Sequence, residues 1–259
     1  MDFVNDDGQV MIFYAARMTF MGISVHYSSW IQRHPDKGLS ERSYFRKVDL
    51  PKKEGDLISW KNQEFNISGE WRSISQAITA RVFEDDDGYL DWNCFQPASK
   101  VKLKIQDQIM EGYGYAEQLI LTTFPWHIPM DHLRWGRFYS KQNTMVWIEL
   151  RNEKKEQWLW LNGKRVLNSI IEDDAIESTD PEFKLILDRK VVLESEKKIF
   201  NVVTKLLRFL PGFNKMMTAK FLMATNMKWL SQGQFYKNGS LISNGQAIHE
   251  WVNFSGSET

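Results

Sequence analysis

The residues best placed to do chemistry lie in GYGYAEQL, Gly112 to Leu119, and in LRWGRFYS, Leu133 to Ser140. Read as a strand, the first run sets Tyr113, Tyr115, Glu117 and Leu119 on one side. The nearly bare Gly112, Gly114 and Ala116 take the other, because successive side chains alternate. The second run sets Leu133, Trp135, Arg137 and Tyr139 on one side. A carboxyl group among phenols and an indole is a possible proton donor. An apolar setting favours the neutral acid, and the neutral acid can hand its proton to a substrate. Glu117 is therefore the expected general acid, with Tyr115 and Trp135 beside the charge that develops. The competing reading is a structural ion pair between Glu117 and Arg134 or Arg137. The two glycines mark a bend or the close approach of another backbone.

Other chemistry has less support. The histidines are His26, His34, His127, His132 and His249, and none belongs to a dense ligand motif. Pro129 breaks the run from His127 to His132, so no metal is expected. There is no nucleophile elbow, phosphate loop or dinucleotide fingerprint, and no cofactor is expected. His249 shares a strand face with Ala247 and Trp251. It reads either as a ligand contact in the same cavity or as a satisfied core histidine.

The elements that must position these residues read as strands joined by polar turns. QVMIFYAARM and FMGISVHYSSW form a first hairpin, and residues 32–56 read as a long loop with at most one short element. Glu84-Asp85-Asp86-Asp87-Gly88 is a hairpin turn leading into YLDWNCF. In KVKLKIQ, Val101, Leu103 and Ile105 face one way and the lysines the other, the pattern of a half-buried antiparallel strand. YGYAEQLILTT, LRWGRFYS, TMVWIELR and EQWLWLN follow as strands of similar length. Asn238-Gly239 and Asn244-Gly245 both read as turns. No repeat of fixed period is visible. One segment departs from the strand pattern. Helical spacing of its apolar residues predicts a helical pair near 197–224, broken at Pro211-Gly212. The expected fold is all-β, with two tandem antiparallel β-barrels and this helical pair inserted in the second. Residues 1–110 form the first domain and 111–259 the second.

Composition narrows the function. The chain has 33 basic and 33 acidic residues, a formal net charge of zero, which argues against nucleic acid as a partner. One cysteine, Cys94, allows no internal disulfide. The acidic start MDFVNDDGQV does not read as a secretory leader, so none is expected, and no apolar run approaches the roughly 20 residues that span a bilayer. A cytoplasmic location is expected, with peripheral membrane contact through the helices near 197–224 as one reading of their lysines. Aromatic residues make up 14%, including 11 Trp. A large β core accounts for many of them. The sharper expectation is an apolar cavity for a small lipophilic molecule, lined by Tyr113, Leu119, Arg137, Tyr139, Trp158, Trp160 and His249.

The runs GYGYAEQL, FPWHIPMDHLRWGRF, MVWIEL and GQAIHEWVNF resemble the carotenoid 1,2-hydratase and AttH-like family. The resemblance implies two lipocalin-like barrels in tandem and acid-catalysed addition of water to an isolated C=C bond, without a cofactor. Related two-barrel proteins cyclise lipophilic chains. The chain differs from the hydratases at Tyr115-Ala116-Glu117, where they carry an Asp shortly after a Tyr. The family also has an aromatic strand before the position of Phe3, so the first barrel is expected to lack its first strand. Two functions follow: a cofactor-free hydratase or cyclase acting on a terpenoid or polyene, or a non-catalytic carrier of such a molecule.

Overall fold

The computed structural model describes residues 1–20, 22–194 and 224–254. The helical pair expected near 197–224 falls, but for Ala224, outside them. The described residues are nearly all strand, with one short 3-10 turn at Pro125–His127. None of their helices is long and apolar enough to cross a membrane.

Two antiparallel sheets account for the strands. The first holds β1 (Asp2–Val4), β2 (Val10–Phe20), β3 (Ile23–His34), β4 (Gly38–Tyr44), β5 (Lys52–Glu54), β6 (Leu57–Asn62), β7 (Ile67–Ser73), β8 (Ile78–Asp85), β9 (Gly88–Ile105) and β10 (Gln108–Leu121). Their order is β4-β3-β2-β1-β10-β9-β7-β6-β5, with β8 paired to β9. The second holds β11 (His132–Tyr139), β12 (Thr144–Arg151), β13 (Lys155–Leu161), β14 (Lys164–Val166), β15 (Asn168–Ile171), β16 (Ala175–Asp180), β17 (Glu182–Glu194), β18 (Thr225–Lys237) and β19 (Ser240–Asn253). Its order is β14-β13-β12-β11-β19-β18-β17-β16-β15. Two compact units result. Residues 1–82 and 91–120 form the first, and residues 83–90 and those from 121 onward form the second. Residues 110 and 111 lie inside β10, and the first unit runs on to Ile120.

Both sheets are built on one plan. In each, the first strand lies beside the last, and the two edge strands follow each other in the chain. β14 and β15 are separated by Leu167 alone. Gln157 of β13 donates to the Ser169 carbonyl of β15 at 2.5 Å, so the second sheet closes nearly into a barrel. In the first sheet, Trp30 of β3 stacks on Phe65, in the turn between β6 and β7, at 5.9 Å. Residues 32–56, expected as loop, in fact carry the end of β3, all of β4 and β5. Charged residues disguise these strands: β4 and β5 are almost wholly exposed and have no apolar alternation to read.

The plan repeats at the level of residues. Phe3 lies opposite Met11 and Gly114, and Phe138 lies opposite Met145 and Ala247. Residues 2–4 therefore match 137–139, and GYGYAE (112–117) matches GQAIHE (245–250). A Cβ at Gly112 would meet the Phe3 ring and the Val4 carbonyl oxygen. One at Gly245 would meet the Phe138 ring and the Tyr139 carbonyl oxygen. Asn244-Gly245, expected as a turn, is thus mid-strand in β19, and its glycine makes room for a phenyl ring. Asn238-Gly239 is the turn, with φ of 49° and 74°.

The interior of the first unit is aromatic and filled. Phe3, Phe13, Trp30, Trp60, Phe65 and Trp71 pack with Met11, Val101, Leu103 and Ala116. Phe13 meets Trp71 edge-on at 5.8 Å and Trp60 at 5.7 Å. The Trp71 indole donates to the Asp2 carbonyl at 2.8 Å and so anchors the three-residue β1. Val101 and Leu103 point in, and Lys100, Lys102 and Lys104 point out, as the alternation predicts. In the second unit Phe138, Trp147, Leu159, Phe183, Leu185 and Phe235 form the corresponding core.

Candidate functional site

Strand β10 presents its two faces in the sense opposite to the one expected. Gly112, Gly114 and Ala116 face the aromatic core, where a Cβ at Gly114 would overlap the Asp2 carbonyl oxygen and Val101. Tyr113, Tyr115 and Glu117 therefore face away from the core. This second face is nonetheless largely withdrawn from water: Asp2, Trp92, Cys94 and Tyr115 are all buried.

Within that layer the Glu117 carboxyl group is held from two sides. Its Oε2 accepts from Trp92 Nε1 at 2.5 Å and from the Tyr115 hydroxyl at 2.7 Å. Burial pushes the Tyr115 phenol well above its ordinary value, with Cys94 and Glu117 beside it adding to the effect. Burial also raises the Cys94 thiol well above its usual value, opposed by a hydrogen bond with Tyr115. Both groups keep their protons at physiological pH, so the phenol stays a donor to the carboxyl group. Trp92 was missed in the sequence because YLDWNCF shows only that Trp92 and Cys94 share a strand face. Pairing β9 with β10 is what brings that face to Glu117.

The second unit supplies a comparison. Glu250 occupies in β19 the place of Glu117 in β10. There the nearby donor is a cation: Lys228 lies 3.1 Å from Glu250 and 3.5 Å from Glu194, and is itself buried. The repeat thus has a neutral indole and phenol at one carboxylate and an ammonium at the other.

The remaining expected site residues divide between the two units. Leu119 is 59% exposed, which removes it from any enclosed cavity. Trp135, Arg137 and Tyr139 belong to the second unit, on the face of β11 opposite Phe138, and Arg137 is buried. Trp158 and Trp160 lie on the face of β13 opposite Leu159, with the Arg165 guanidinium 5.9 and 4.6 Å from their rings. Arg134 is engaged by Glu149 at 2.8 Å and by Asp173 at 2.7 Å. His249 lies on the core face of β19. A groove of about 900 Å³ runs along β15 to β18 past Ile170, Glu177, Lys184 and Tyr236. Another, of about 530 Å³, crosses β5, β6, β7 and β9 past Lys52, Lys61, Lys102 and Lys104. Neither contains a residue of the expected ligand set.

His249 carries a pH dependence. Burial, with Lys190 adding and Asp173 and Asp174 opposing, pushes its imidazole down from 6.5 to about 4. The native state refuses a proton that the unfolded chain accepts, so stability is complete above pH 6.5. It declines as the pH falls, and the loss is finished below about pH 4. At pH 4.5 the wild type should have lost about 2 kcal/mol more than His249→Leu, each relative to pH 7. Urea midpoints at the two pH values check this, and equal losses in both proteins would refute it.

No protein-family model matches the chain, and no curated protein matches it in sequence. Solved structures do match it. A candidate AttH from Nitrosomonas europaea superposes with a TM-score of 0.56 at 8% identity, over 98% of this chain and 90% of that one. CghA superposes with a TM-score of 0.56 at 11% identity, over 100% of this chain and 88% of that one. CghA with Sch210972 gives 0.53 at 11% identity, over 99% and 88%. Similarity at this level of identity shows the fold: the chain has the lipocalin-like β architecture of these proteins.

Proposed function

We propose that the protein is a cofactor-independent enzyme that protonates a C=C bond of a small lipophilic molecule of the terpenoid or polyene class. The observation that carries this reading is the Trp92–Glu117–Tyr115 arrangement on a buried sheet face. The Glu117 acid gives its proton to one alkene carbon, and the other becomes a carbocation. Water adds to the cation in a hydratase, or a second double bond attacks it in a cyclase. The proton then released returns to the Glu117 carboxylate. The two donors on Oε2 stabilise the carboxylate that proton transfer leaves behind, which is where preorganised hydrogen bonds lower a barrier. Aromatic faces near a cation lower it further. The fold is one that, in CghA, is described together with the compound Sch210972.

A carrier without catalysis is the second reading, favoured by the pairing of interior charge. Buried Glu149 meets Arg134, Arg151 and Lys155 at 2.8, 3.0 and 2.9 Å. Mass spectrometry of an organic extract of the purified protein separates the two. Enzyme and carrier both predict an enriched apolar molecule relative to a control protein purified in parallel. On incubation with more of that molecule, the enzyme converts it and the carrier returns it unchanged. An extract indistinguishable from the control would count against both.

A further inference from the structure

Lysines are concentrated on the outer face of the first sheet. Alternation puts Lys102 and Lys104 of β9 outside, beside the inward Val101 and Leu103. Strand register then aligns side chains in rows across β5, β6, β7 and β9. One row runs Lys52, Ser59, Glu70, Lys102, and the next runs Lys61, Ser68, Lys104. Neighbouring strands lie about 4.8 Å apart, so Lys61 and Lys104 stand roughly 10 Å apart at the backbone with only a serine between them. The small side chains of Ser59 and Ser68 leave the groove of about 530 Å³ open along these rows.

The charges in this groove do not cancel. Lys52, Lys61, Lys102 and Lys104 face Asp49 and Glu70, an excess of two positive charges in a chain whose net charge is zero. Elsewhere in the same unit Arg46 and Arg72 are engaged by Glu64 and Asp56. Among the described residues none of the four lysines makes an ion pair, although Glu70 lies opposite Lys102 in its row. Unneutralised charge of one sign in a concave surface attracts the opposite sign from outside. The lining is not wholly ionic. Leu50 and Ile109 also border the groove, and Ile109 is 60% exposed. The one aromatic ring in the lining, Trp60, is buried, and its Nε1 donates to the Asp49 carbonyl at 2.9 Å.

We propose that this face docks the protein on an anionic lipid membrane, with the four lysines over the phosphate headgroups and Ile109 entering between them. Lysines held near such a surface each add to the attraction. An exposed aliphatic side chain beside them does nothing for a free phosphate ion, but it gains by leaving water for the boundary of the acyl chains. The lysines are exposed and spread over two rows, which suits an extended charged surface better than one small ion. Nucleic acid calls for an exposed ring on which a base can stack, and Trp60 is buried. The docking is independent of the chemistry proposed at Glu117.

Cosedimentation of the full chain with vesicles tests it, using phosphatidylcholine alone and phosphatidylcholine mixed with phosphatidylglycerol in a two-to-one ratio. At about 0.1 M salt the protein should partition at least tenfold more strongly onto the anionic vesicles. The difference should vanish at about 1 M salt, where charges act over only about 3 Å. Lys61→Gln combined with Lys104→Gln should weaken partition roughly 25-fold, about fivefold per lysine. Lys141→Gln combined with Lys237→Gln makes the same charge change on exposed lysines of the second unit and should weaken it less than threefold. Ile109→Ser should weaken it severalfold. Glu117→Gln should bind as the wild type does, so loss of docking and loss of the proposed acid are read separately. No preference for anionic vesicles, equal losses in the two double variants, or wild-type binding by Ile109→Ser would each overturn the docking face. So would release from the vesicles by millimolar glycerol 1-phosphate, which would mark a small-ion site. Tighter binding to a single-stranded oligonucleotide than to the vesicles would assign the face to nucleic acid instead.

Discussion

Replacing Glu117 with Gln is expected to lower turnover by about 10²–10⁴-fold, the range for losing a general acid, while ligand affinity changes by less than about twofold. The amide oxygen of Gln can still accept from Trp92 Nε1 and the Tyr115 hydroxyl, so the local geometry survives. What disappears is the ionisable proton and the carboxylate it leaves behind. A loss confined to kcat marks an interaction made in the transition state. Tyr115→Phe removes one of the two donors and should fall between wild type and Glu117→Gln. The measurement is kcat and Kd on whichever molecule the purified protein carries and converts. If Glu117→Gln turns that molecule over at the wild-type rate, the acid is elsewhere and the proposed mechanism fails. If it loses binding to the same extent as turnover, Glu117 is a ligand contact and the carrier reading gains.

Trp71→Ala should destabilise the first unit by about 3–5 kcal/mol, the usual cost of emptying a buried aromatic position. Trp71 is wholly buried, meets Phe13 edge-on, and holds the Asp2 carbonyl through its indole nitrogen. The Ala variant leaves a cavity and an unpaired carbonyl together, at the strand that lies between β2 and β10. For a unit of this size the thermal midpoint should drop by roughly 15 °C or more. Trp71→Phe keeps most of the ring volume and loses mainly the hydrogen bond, so a smaller loss, on the order of 1–3 kcal/mol, is expected. Scanning calorimetry of the full chain is the measurement. A Trp71→Ala midpoint within a few degrees of wild type would show that the aromatic core is not what holds β1 in place.

Much of this protein is legible in its residues alone. Alternation in KVKLKIQ gives both the strand and its buried side, because lysines alternating with Val and Leu leave only one arrangement. The turns at Asp85–Gly88 and Asn238-Gly239 need residues that tolerate tight or left-handed backbone, and those residues are present. Period two also shows that Tyr115 and Glu117 share a face. It cannot show which face of GYGYAE is inside, since that depends on what the bare side meets. Glycines at 112 and 114 leave room either for solvent or for Phe3 and the Asp2 carbonyl, and only folding brings the N-terminal strand against them. For the same reason Gly245 looks like a turn beside Asn244, until the Phe138 ring is seen to occupy the space. The repeat relating GYGYAE to GQAIHE is invisible as sequence, because its two copies share little beyond a glycine and a glutamate. It emerges from strand register, which is set by contacts between residues far apart in the chain. The partners of Glu117 and His249 are decided in the same way: Trp92 and Ser231 come from neighbouring strands, and hydrogen bonding between strands is a property of the sheet, not of any one strand.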